Sequence, residues 1–182
     1  KPFAGVAGSG KHNNWSLSTD TGRNLFSPGK TPSQNARFLV FLAAFISGVD
    51  EYQDFLRCTV ASAGNDHRLG ANEAPPAIIS IFLGDELNAI VKSIVEGTDY
   101  ENPEKSNLRI GVDVLPAIRK DTTDRNRTSP LAFTGNKFEF RMLGSSQSVS
   151  SPNVVLNTIM AEELGKFADI LEQAEDFDAA LH

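Results

Sequence analysis

The residues best suited to chemistry fall in four short stretches of this sequence, and Lys137-Phe-Glu-Phe-Arg141 is the sharpest of them. Strand alternation puts Lys137, Glu139 and Arg141 on one face and Phe138 and Phe140 on the other. The phenylalanines then face a core, and the charges line a surface as plus, minus, plus. That surface is either a solvent-facing strand with cross-strand ion pairs or a catalytic sheet face, with Glu139 on a metal and Arg141 on an anionic substrate. Upstream, Arg125-Asn-Arg127 sits in a polar loop. Paired guanidinium groups match two oxygens of a phosphate or carboxylate at once, but Asp121 and Asp124 could equally pair them internally.

The segment Gly64-Asn-Asp-His-Arg-Leu-Gly-Ala-Asn-Glu-Ala-Pro-Pro76 packs Asp66, His67, Arg68 and Glu73 between Gly64 and Pro76. It reads as a solvated loop with a salt bridge or as a mobile lid whose Glu73 acts as a base or cation trap. The N-terminal Gly5-Val-Ala-Gly-Ser-Gly-Lys-His12 nearly spells a phosphate-binding loop. That motif needs a hydroxyl where His12 stands, and it should open a helix. Asn13 to Thr19 instead alternates polar and apolar residues, so the nucleotide-loop reading is rejected. The glycines still allow backbone N–H groups to approach an anion closely. His12, between that loop and a probable strand, is either inert or well placed to offer an imidazole to a metal.

Several elements must position these groups. A helix is expected from about Asn35 to Arg57, capped by Ser33 or Thr31 with Pro32 at its entrance. Val49, Tyr52, Phe55 and Leu56 are expected on its inner face. A second helix is expected from Gly84 to Glu96, through Leu87, Ile90, Val91 and Ile94, with Gly97 as its stop. A third runs from about Pro152 to Ala180 on a stripe of Val155, Ile159, Leu164, Phe167, Ile170 and Leu171. Trp15 to Thr19 and Lys137 to Met142 alternate like strands; Phe3 to Val6 and Leu108 to Val112 are weaker candidates. Thr98 to Asn107 reads as a surface loop.

Composition limits the possibilities. The chain has 182 residues, 40% of them hydrophobic and 22% charged, which is a globular composition. Its 17 Lys plus Arg against 23 Asp plus Glu give a net charge of -6, which argues against a nucleic-acid partner. The longest apolar run, Phe38 to Ile46, is too short to cross a bilayer. A single cysteine, Cys58, excludes an internal disulfide and any multi-cysteine metal site. The sequons at Asn14 and Asn126 are too short a pattern to carry weight. With no initiator methionine, the chain reads as an internal piece of a longer protein.

Taken in order, Gly8-Ser-Gly-Lys-His-Asn-Asn-Trp-Ser16, Gly64 to Pro76, Arg125-Asn-Arg127 and Lys137 to Arg141 resemble glutamine synthetase, most closely its type III bacterial form. The resemblance covers essentially all 182 residues. It implies an α+β fold, with a curved, mainly antiparallel sheet and helices packed on its outer face. It further implies that residues 1–182 are part of a catalytic domain whose upstream part and N-terminal domain lie outside this chain. The implied activity is glutamate–ammonia ligation, driven by ATP through γ-glutamyl phosphate, with magnesium or manganese bound. The implied setting is cytoplasmic glutamine biosynthesis and nitrogen assimilation by a homo-oligomer built as a large double ring, without membrane or nucleic acid. The fragment alone is expected to be inactive. A related ligase acting on another amine and a non-catalytic structural descendant are the alternatives.

The resemblance also implies residue roles. His12 and Glu139 match ligands of the metal that binds the ATP phosphates. Gly8 and Arg68 match glutamate-binding positions, and Arg141 matches an arginine near glutamate and the transferred phosphate. Glu73 matches the flap glutamate that closes over the intermediate and helps deprotonate ammonium. Arg127 matches a phosphate-contacting arginine; Ser16, Asn14 and Lys137 match positions near the nucleotide. Three departures stand out: Ala7 replaces an asparagine of the substrate loop, Asn14 a histidine of the commoner class, and Ala132 an arginine of that class.

Overall fold

The computed structural model describes residues 10–65, 76–100, 107–108, 118–119 and 129–181. Six strands and four α-helices lie among these residues. The strands are β1 (Lys11–Trp15), β2 (Ile81–Phe82), β3 (Asn107–Leu108), β4 (Ile118–Arg119), β5 (Leu131–Phe133) and β6 (Phe138–Leu143). The helices are α1 (Ala36–Cys58), α2 (Asp85–Glu96), α3 (Ser150–Gln173) and α4 (Phe177–Leu181). The fold is mixed α+β. An open four-stranded sheet runs β1-β6-β5-β2 and is antiparallel except for the β2–β5 pair. The short strands β3 and β4 pair separately.

The phenylalanines of β6 face the core as expected, Phe138 and Phe140 being fully buried, but Lys137 precedes the strand and Arg141 is buried as well. Phe138 stacks on Phe45 of α1 with centroids 3.7 Å apart, and Phe26 meets both rings edge-on. Trp15 of β1 completes the cluster, 5.5 Å from Phe45. Aromatic pairs of this kind add about 0.5–1.5 kcal/mol each beyond area burial. The cluster therefore ties both site strands to α1.

The helices need five corrections. Asn35, not Ser33 or Thr31, caps α1: its Oδ1 accepts from the Phe38 N–H at 3.2 Å, and Pro32 opens a preceding 3-10 turn. Val49 and Leu56 are buried, but Phe55 is exposed. A turn of about 3.6 residues carries Phe55 roughly a third of the way round from the Val49–Leu56 line. The third helix ends at Gln173, where Ala174 turns extended. Asp176 then starts α4, its carboxylate accepting from Ala179 N–H. The inner stripe of α3 runs through Pro152, Leu156, Ile159, Met160 and Glu163, and Ile170 faces out. Helix α2 keeps its boundaries, closed by Gly97 in the left-handed conformation at φ 63°. Leu87 and Ile90 are its buried residues, whereas Ile94 is exposed.

The strand expected at Trp15 to Thr19 lies earlier, at Lys11–Trp15, and Ser18 makes only an isolated bridge to Asn24. Two of its inward positions, Lys11 and Asn13, are polar, so apolar alternation could not reveal it. Of the expected Leu108 to Val112 strand, Leu108 lies in β3. The rest of that segment, Phe3 to Val6 and most of the Thr98 to Asn107 loop lie outside the described residues. No described helix is long and apolar enough to cross a membrane.

Candidate active site

The site lies where β1 meets β6. Strand β1 alternates: Asn13 and Trp15 turn toward α3 and Lys11 toward the loop before it, whereas His12 and Asn14 face the open side. Opposite them, Glu139 and Arg141 occupy the corresponding face of β6, and Asn14 sits across from Glu139 in the ladder. The ladder is interrupted beside His12. Lys11 faces Leu143 but Asn13 faces Phe140, so Arg141 and Met142 together oppose His12. Such a bulge bends a strand and re-aims its side chains. The buried Asn65 side chain donates to the Met142 carbonyl at 2.9 Å, satisfying an acceptor at the break in the ladder.

His12 Nδ1 lies 2.7 Å from Glu139 Oε1. Arg141 donates to Glu139 Oε2 through Nε and Nη2, each at 2.9 Å. Side-chain exposure is 30% for His12, 17% for Glu139 and 5% for Arg141, so the cluster opens outward from a buried guanidinium. Burial pushes the Glu139 carboxyl up, but the hydrogen bonds from Arg141 and His12 outweigh it and hold the carboxyl below its usual range. With Glu139 ionised and able only to accept, Nδ1–H is the donor in the 2.7 Å contact.

An imidazole and an ionised carboxylate side by side form part of a donor set for a divalent cation that prefers oxygen and tolerates nitrogen. Among the described residues, no group of three His, Cys, Asp or Glu side chains could hold a metal ion. His12 and Glu139 could therefore supply two donors to such a cation, and the described residues supply no third of these types.

The positions expected to meet a nucleotide are dispersed along the same edge. Ser16 Oγ donates to the Asn136 carbonyl at 2.8 Å and accepts from Asn24 Nδ2 at 2.9 Å, so it braces the β5–β6 hairpin. Lys137 is half-buried at the end of that hairpin, and Asn14 is exposed. Gly8, Arg68, Glu73 and Arg127 lie outside the described residues. Ala132 is fully buried and faces Glu139 across the β5–β6 ladder. Asn13, Asn65, Asn153 and Asn157 were not singled out from sequence. Isolated asparagines carry no periodic signal, although the Asn-Asn-Trp wording does mark the strand.

No family model matches the chain. Curated proteins do. The chain is 64% identical over 164 residues, 90% of its length, to a protein of Dictyostelium discoideum named type-3 glutamine synthetase. It is 55% identical over 170 residues to a glutamine synthetase of Bacteroides fragilis, covering 92% of this chain. Against one from Butyrivibrio fibrisolvens it is 62% identical over 139 residues, 76% of this chain. The chain spans 22%, 23% and 20% of the lengths of these relatives, about a fifth in each case. At this identity over most of its length, the chain matches a fragment of glutamine synthetase, in its type-3 form.

Proposed function

We propose that this chain is a segment of a glutamine synthetase catalytic domain, and that the full-length protein joins ammonia to glutamate at the expense of ATP. The observation that carries the reading is the 64% identity to a type-3 glutamine synthetase across 90% of the chain. The His12–Glu139–Arg141 cluster supplies the matching chemistry. A divalent cation held by His12 and Glu139 would neutralise phosphate charge, on which phosphoryl transfer depends. Arg141 keeps Glu139 ionised and fixes its second oxygen, so that the carboxylate is oriented before any ligand arrives. Asn14, Ser16 and Lys137 on the adjoining edge would meet the nucleotide. Gly8 and Arg68 are assigned to glutamate, Arg127 to phosphate, and Glu73 to closing over the γ-glutamyl phosphate, which water would otherwise destroy. The setting proposed with this activity is a cytoplasmic homo-oligomer.

Phosphate release from ATP and magnesium by the full-length protein tests the reading. It should require both glutamate and ammonium. Release with glutamate and a different amine, but not with ammonium, would point to a related ligase. No release from a folded protein that still binds nucleotide would point to a structural descendant.

A further inference from the structure

Among the described residues β1 is an edge strand, and its ladder with β6 is broken beside His12. Main-chain pairing therefore underdetermines where the imidazole stands, because a strand can slip where its register is weakly specified. A second set of contacts removes that freedom. On the far side of β1, Lys11 Nζ donates to the Gln147 carbonyl at 2.6 Å. Asn13 Nδ2 donates to Asn153 Oδ1 at 2.7 Å. Trp15 Nε1 donates to Asn157 Oδ1 at 2.9 Å. These contacts bracket His12 at the residues just before and just after it.

The spacing of the last two contacts is set by geometry. Asn153 and Asn157 are one helical step of four apart on α3 and rise about 6 Å. Asn13 and Trp15 are two apart on a strand and span about 6.6 Å. The helix thus presents acceptors at nearly the repeat of the strand's inward donors. Asn13 is buried, and its amide would be costly to leave unpaired. A one-residue slip would swap Asn13 for His12 or Asn14 and break both contacts.

We infer that Asn153 and Asn157 are positioning residues for His12, acting through Asn13 and Trp15 to fix β1 against the bulge in β6. This rests on the reading of His12 and Glu139 as cation ligands. Both asparagines serve through an acceptor oxygen, so aspartate should replace them and leucine should not.

Calorimetric titration of the nucleotide-free, full-length protein with Mn2+ separates the possibilities. The N153L/N157L variant should bind Mn2+ roughly tenfold or more weakly, and N153D/N157D within about threefold of the unaltered protein. Should the leucine pair not fold, N157L alone decides, with a fall of about threefold expected. A merely structural contact would lower the melting temperature of the leucine variant and leave its Mn2+ affinity unchanged; that result overturns the inference. So does an aspartate pair that binds as weakly as the leucine pair. If the unaltered protein takes up no Mn2+, the ligand reading of His12 and Glu139 fails first, and this inference falls with it.

Discussion

Two charge clusters in this molecule are mirror images in sign. On the sheet, the Glu139 carboxylate lies between the Arg141 guanidinium and the His12 imidazole. Between α1 and α3, the Lys166 ammonium lies between two carboxylates, 2.7 Å from Glu163 and 2.8 Å from Glu51, with Tyr52 Oη at 3.4 Å. In the helical cluster the only fully buried member is Glu163, and the lysine closes over it from the outside. Its one ammonium holds a carboxylate of each helix, so it works as a clasp. In the sheet cluster the buried member is the arginine, and the groups left facing outward are a carboxylate and an imidazole. The difference teaches that an ion pair can offer groups to a ligand when its fixed member is inside and its polar partners face outward.

Both clusters depend on one packing unit, and removing it should have the largest effect. Phe45 lies in α1, is fully buried and stacks on Phe138 of β6. Phe45→Ala should destabilise the full-length protein by about 3–5 kcal/mol, read by denaturant unfolding. A cost below about 1 kcal/mol would mean that the cluster relaxes around the gap.

The clusters should then separate by readout. Glu139→Gln keeps the shape of the side chain but loses its charge. It should lower phosphate release by more than the roughly 100-fold upper range for outer-shell partners, while the melting temperature changes little. A variant that loses stability and keeps activity would make the sheet cluster a second clasp.

The helical cluster answers to packing first. Gly48 lets α1 approach α3: a Cβ there would lie 2.2 Å from Ile159 Cγ2 and 2.9 Å from Glu163 Cγ. Gly48→Ala should cost about 1–3 kcal/mol by overpacking, with substrate affinity unchanged. Lys166→Met leaves the Glu163 carboxylate buried without its cation and should lower the melting temperature by a few degrees. Glu163→Gln combined with Lys166→Met should recover part of that loss, as coupled neighbours do.

The pH response of this cluster is the smallest effect. Hydrogen bonds from Lys166 and Tyr52 hold the Glu51 carboxyl below its ordinary value. Hydrogen bonds to Glu163 and Glu51 hold the Lys166 ammonium above its own. The contribution of the cluster is complete between the ordinary glutamate and lysine values. It is lost as pH falls through the lowered carboxyl value or rises through the raised ammonium value. Both groups are half-exposed, so the effect should be slight, weaken in salt, and vanish in Lys166→Met across a pH series of melting curves.

How far the sequence could be read follows the same division. Wherever burial is apolar, the pattern is visible: Phe138 and Phe140 announce the β6 core face, and Leu87, Ile90 and Gly97 announce α2 and its stop. Charges at alternate positions of β6 likewise announce the site face. Wherever burial is polar, the pattern fails. Strand β1 turns Asn13 inward against α3 and Lys11 against the loop before it, so its alternation looks like a loop. Glu163 sits on the inner stripe of α3 because Lys166, one turn on, supplies charge and Gly48 of α1 leaves room, and Gly48 is distant in sequence. The bulge opposite His12 depends on pairing between distant strands, which no local pattern encodes. His12 and Glu139 were legible as chemistry-bearing residue types, but their 2.7 Å contact is a product of the fold.

The most direct measurement compares the two clusters for one property, magnesium-dependent ATP binding by the full-length protein. Glu139→Ala should abolish it, and Lys166→Met should leave it at the unaltered level. ATP binding that survives Glu139→Ala unchanged would contradict the assignment of the sheet cluster as the cation site.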